Sequence, residues 1–177
     1  TNGKITSATV NGLKFQVADY SASNALILRN NVTNQATLTL ETPKKAEKIF
    51  VAAVRGEGGS GSEDNHNVTA TVNFNDGTSQ EIIFQATAWW QDNAASANVV
   101  INGTGEVSRN SATSGWAPKN EFRGNTQASL FYNELAIAPD NFNKEITSIS
   151  FDKATTSNDS HTTAILAVTA IIGGLAA

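Results

Sequence analysis

Val68-Thr69-Ala70-Thr71-Val72-Asn73-Phe74, followed by Asn75-Asp76-Gly77-Thr78, decides the fold class. Val68, Ala70, Val72 and Phe74 share one face of an extended chain, and Thr69, Thr71 and Asn73 take the other. That alternation describes an antiparallel strand with one face on a core and one in water. Asp76-Gly77 then signals a tight turn, because glycine reaches positive φ without steric cost. The run 79–85 follows as the returning strand, so the segment reads as a β-hairpin.

Working outward, nearly every apolar stretch is short, rich in β-branched or aromatic residues, and bounded by Asn, Asp, Gly or Ser. Strands are expected at 14–17, 25–29, 36–41, 48–55, 67–74, 79–85, 97–101, 128–134, 145–152 and 161–171. Ile146, Ile149 and Phe151 alternate less regularly, yet Thr147, Ser148 and Ser150 keep strand character. The stretch 42–47 has the composition of one helical turn, and no long amphipathic helix stands out. Long loops are expected at 56–65 and 102–125, the first glycine-rich and acidic, the second carrying Gly103, Gly105, Gly115, Pro118 and Gly124. The pattern predicts an all-β chain, a two-sheet antiparallel β-sandwich of the jelly-roll kind, with residues 1–177 as one domain.

Composition narrows the function classes. The chain has 12 basic and 16 acidic residues, a net charge of -4 and no basic run, which argues against a nucleic-acid partner. It has no Cys, which excludes disulfides, thiolate metal sites and cysteine nucleophiles. It has no Met, so residue 1 is read as the start of a processed chain or of a module cut from a larger protein. The apolar segment 164–177 is too short to cross a bilayer and is interrupted at Gly173-Gly174, so no transmembrane segment is expected.

Two blocks carry a family resemblance. The run 46–90, AEKIFVAAVRGEGGSGSEDNHNVTATVNFNDGTSQEIIFQATAWW, places a strand before a glycine-rich loop, then a strand ending in the Asp-Gly turn, then a Trp pair. The run 128–154, ASLFYNELAIAPDNFNKEITSISFDKA, leads a strand through a proline-containing loop into another strand. Together they resemble jelly-roll, galactose-binding-like modules of secreted carbohydrate-active proteins of the Bacteroidetes type. The resemblance implies noncatalytic glycan binding beside other domains of the same polypeptide. It also implies an extracellular, periplasmic or cell-surface location, and a structural calcium ion as a common feature.

The residues themselves offer two places for a sugar. An aromatic face stacks on the C–H patch of a pyranose, while amides, carboxylates and guanidinium groups read its hydroxyls. Trp116, in the second long loop with Arg123 and Asn125 beyond it, is the first such place. Trp90 with Asp92, at a strand end, is the second. If one strand runs through Trp89 and Trp90, they face opposite ways, one into the core. The alternative for each Trp is a core plug or loop anchor, and Tyr132 is expected as a strand residue with its hydroxyl at the rim. Glu57, Glu63 and Asp64 supply the hard oxygens that calcium takes, with Asp19, Asp152 and Asp159 as further oxygens from other loops; a plain solvated loop is the alternative. His66 and His161 lack zinc-ligand spacing. The chain has no Gly-x-Ser-x-Gly elbow, and its carboxylates single out no acid–base pair. An enzyme is therefore not expected. A structural or adhesive cell-surface module, and less readily a polysaccharide-acting enzyme, are the competing readings.

Overall fold

The computed structural model describes residues 3–19, 21, 23–29, 33–56, 67–89, 98–104, 107–110, 115–118, 128–153 and 162–172. The strands are β1 (Lys4–Thr6), β2 (Lys14–Gln16), β3 (Leu26–Arg29), β4 (Gln35–Lys44), β5 (Lys48–Gly56), β6 (Asn67–Phe74) and β7 (Ser79–Gln85). They continue with β8 (Val99–Thr104), β9 (Val107–Asn110), β10 (Gly115–Pro118), β11 (Ala128–Ala136), β12 (Ile146–Lys153) and β13 (Thr162–Ile171). One 3-10 turn, Pro139–Asn141, joins β11 to β12.

Two antiparallel sheets pack face to face. One has the order β3-β13-β5-β11-β8, the other β4-β12-β6-β7. Successive strands cross repeatedly between them: β3 to β4, β4 to β5, β5 to β6, β7 to β8, β11 to β12 and β12 to β13. The protein is thus an all-β sandwich. The expected helical turn at 42–47 does not form, because β4 continues through Pro43 to Lys44. Proline is tolerated there since β4 is an edge strand and needs no inner donor at that position.

Alternation builds the core between the sheets. Val68, Ala70, Val72 and Phe74 of β6 are buried and meet Val51, Leu135, Ile149 and Phe151. The Phe84 and Phe151 rings meet edge to face, centroids 6.4 Å apart. The irregular spacing of β12 has a local cause. The register with β4 and β6 shifts between Ile146 and Ser148, and this bulge lets Ile146 and Ile149 both face inward.

A second apolar cluster lies on the other face of the five-stranded sheet. There Phe50, Ala52, Leu130 and Tyr132 pack against Leu13, Phe15 and Val17. The small β1–β2 hairpin therefore covers that sheet, and β5 is buried on both faces. Its unbroken run Ile49-Phe50-Val51-Ala52-Ala53 follows from this double burial. Tyr132 belongs to this cluster rather than to a rim: it is buried, with its ring edge-on to Phe50 at 5.6 Å.

The hairpin turn forms where expected. Gly77 has φ 83° and its N–H donates to the Phe74 carbonyl at 3.1 Å, while Phe74 N–H donates to the Thr78 carbonyl at 2.9 Å. The positive φ falls at the third loop position, the arrangement of a three-residue hairpin loop.

Candidate functional site

The two ends of the sandwich differ in how the chain turns. At one end the connections are short and hydrogen-bonded. The β6–β7 turn is there, and so is Gln80, whose amide oxygen accepts from Ala138 N–H at 2.9 Å and from Asn141 Nδ2 at 3.0 Å. Its amide nitrogen donates to the Ala136 carbonyl at 3.0 Å. Glu47 clamps the same end: its N–H donates to Ile171 and its carbonyl accepts from Ile137, each at 3.0 Å.

The opposite end gathers the roots of the long connections. β5 finishes at Gly56, paired with Thr162 at the start of β13. Arg29, at the end of β3, also pairs with Thr162. β8 finishes at Thr104, paired with Ala128 at the start of β11, so residues 105–127 leave and rejoin the sheet at one point. Past β7, Ala88 bridges to Arg55, and Trp89 N–H donates to the Arg55 carbonyl at 3.1 Å. Ser129 N–H then donates to the Trp89 carbonyl at 2.9 Å. Segments 57–66, 90–97, 105–127 and 154–161 therefore all spring from this end.

The inter-sheet core also changes character here. Lys153 extends the inward face of Ile149 and Phe151 and is 1% exposed; Thr163 extends that of Ile165 and is fully buried. Arg55, half-buried, extends the face of Val51 and Ala53 and pairs in register with Thr163. The Thr163 hydroxyl has no hydrogen-bond partner among the described residues. A polar, cationic layer thus closes the apolar core beneath the long connections.

The expected sugar residues distribute as follows. Trp116 is not in a loop: it lies in β10, directly across from Arg109 of β9. Strands 107–110 and 115–118 are separated by four residues, a length that suits a hairpin. With only four residues in each, their pairing left almost no periodic signal. Arg123, Asn125, Trp90 and Asp92 lie outside the described residues, as do the calcium candidates Glu57, Glu63 and Asp64, together with Asp159, His66 and His161. Trp89 is half-buried, and no strand runs through the Trp pair, since β7 ends at Gln85.

Asp19 is an exposed turn carboxylate, accepting from Ser21 N–H and its hydroxyl, each at 2.9 Å. The backbone hydrogen bond, then the hydroxyl, lowers its pKa from 3.8. Asp152 faces outward from β12 and accepts from Gln35 across the strand pair. Among the described residues no three His, Cys, Asp or Glu side chains form a metal-holding group, and no helix is long and apolar enough to cross a membrane.

This geometry defines the class: a β-sandwich whose long connections share one end. No protein-family model matches the chain, and no curated protein matches it.

Proposed function

We propose that the chain is a noncatalytic carbohydrate-binding module of jelly-roll type that holds a glycan at the end where the long connections converge. The observation that carries this reading is the convergence itself. The segments bearing Trp90 and Asp92, Trp116, Arg123 and Asn125, and the acidic Glu57, Glu63 and Asp64, are rooted in neighbouring strands of one sheet. Recognition groups carried on connections above a rigid sheet can act on one ligand. The repeated crossing of strands between the sheets supports the jelly-roll assignment.

In this reading Trp116, and then Trp90, stack on sugar rings. Arg123, Asn125 and Asp92 exchange hydrogen bonds with hydroxyls. Glu57, Glu63 and Asp64 are the residues that would hold a structural calcium ion. The module works outside the cytoplasm, beside other domains of one secreted or surface polypeptide.

A glycan array tests the proposal, run with the unaltered protein, with Trp116→Ala, and with chelator. Saturable binding to a defined glycan that falls in Trp116→Ala is the expected result. Binding to no glycan, or binding untouched by Trp116→Ala, overturns the assignment, and insensitivity to chelator removes calcium from it.

A further inference from the structure

The five-stranded sheet has an unfinished edge. β13 pairs with β5 from Thr162 to Ile171, but on its other side β3 covers only Thr162 to Ile165. Among the described residues, positions 166–171 have no strand on that side. A row of backbone donors and acceptors at a sheet edge is a template for another strand.

Beside this edge the sandwich opens into an apolar groove of about 150 Å³. Leu38 and Leu40 of β4, Ile146 and Ile149 of β12, and Val168 and Ala170 of β13 line it. The one charged residue in the lining is Lys44, near the Ile171 end of the slot. Ile172, just past β13 at the end of this edge, is 64% exposed.

We propose that this slot takes an extended segment of another polypeptide chain by strand addition. The segment lies antiparallel to β13, continuing the row that β3 begins. Its backbone pairs with 166–171, and its alternate apolar side chains enter the groove. An acidic residue at its N-terminal end meets Lys44. The unpaired edge calls for a peptide, since neither a lipid nor a sugar offers a matching row of backbone groups. The apolar lining calls for side chains on every second residue, and Lys44 fixes the preferred charge. This site lies at the edge of the sandwich and stands independently of glycan binding.

Two acetylated, amidated peptides test it: Glu-Val-Thr-Val-Thr-Val-Thr, and Glu-Val-Val-Val-Thr-Thr-Thr of the same composition. Titrated into 15N-labelled protein, the alternating peptide should shift the amide signals of 166–171, Leu38 and Leu40, and bind about tenfold tighter than the blocked one. Ala170→Lys, at an exposed position, should abolish these shifts and leave the unfolding midpoint unchanged. Equal response to both peptides, no response at 166–171, or full binding by Ala170→Lys overturns the proposal. So does hydrogen-exchange protection, in the free protein, of those amides in 166–171 that point away from β5, which would mean that the slot is already filled. Dimerisation abolished by Ala170→Lys, with no peptide bound, assigns the edge to a second copy and equally overturns it.

Discussion

Trp116 stands directly across from Arg109 in the β9–β10 ladder. Opposite residues on paired strands are neighbours in the ladder, so an aromatic and a basic residue hold facing register positions of one strand pair. This hairpin belongs to the segment that leaves the sheet after Thr104 and returns at Ala128. Under the glycan-binding proposal the two residues act as a unit. Arg109→Ala should therefore weaken glycan binding, and its effect should not add to that of Trp116→Ala. A double-mutant cycle on the array-identified glycan checks this; full additivity would separate Arg109 from the Trp116 contact.

The second cluster makes a stability prediction. Phe15 is fully buried on the β1–β2 hairpin that covers the five-stranded sheet. Phe15→Ala should cost about 3–5 kcal/mol, through lost burial and the cavity left behind. Ile83→Ala makes the matched control. Ile83 is as apolar but 65% exposed on β7, and its truncation should change stability by less than about 0.5 kcal/mol. Urea unfolding measures both. Similar costs for the two would mean that the hairpin does not seal that face.

Much of this architecture can be read before the structure, and the exceptions have physical causes. β6 is legible because its polar and apolar residues alternate without a break, and the Asp76-Gly77 turn fixes its partner. β12 reads poorly because a bulge between Ile146 and Ser148 resets which side faces in. β13 has the same kind of interruption between Ile165 and Ala167, which sends them to different clusters. The double burial of β5 is visible as an apolar run, but nothing in that run says that β1 and β2 supply the second cover. β9 and β10 have four residues each, too few for periodicity to mark them, and Gly115 and Pro118 bound Trp116 as loop residues do, so Trp116 reads as a loop residue. The convergence of the long connections depends on strand order, which pairs Gly56 with Thr162 and Thr104 with Ala128 over long sequence separations. Local pattern carries no such information.

Gly77 tests the turn. Its φ of 83° is left-handed, where an L-residue brings Cβ against the following carbonyl oxygen. An added Cβ would meet nothing within 4 Å, so the penalty of Gly77→Ala is purely conformational. It should be about 1–2 kcal/mol, and Gly77→Asn should cost less, since asparagine tolerates this region better. Thermal unfolding of the two variants gives the ranking. Equal stability of Gly77→Ala and the parent would show that the loop relaxes to another turn.

Asp76 gives the turn a pH dependence. Its Oδ1 accepts from the Thr78 hydroxyl at 2.6 Å and from Thr78 N–H at 3.0 Å, while Lys144 Nζ sits 2.9 Å from Oδ2. The Thr78 hydroxyl, then Lys144, favour the ionised carboxylate and lower its pKa from 3.8 to about 2. Because the folded value is the lower one, the unfolded chain binds the proton first as pH falls. The stabilisation is complete above 3.8 and is lost as pH drops through about 2. Asp76→Asn should therefore lower stability at neutral pH, and the gap to the parent should close across that acidic window. Since the Asp76 side chain is open to solvent, salt should shrink the part due to Lys144 and spare the part due to Thr78. Carbon-detected titration of the Asp76 carboxyl checks the premise directly. A midpoint near 3.8 would mean that neither Thr78 nor Lys144 holds the charge, and the stability gap should then stay constant with pH.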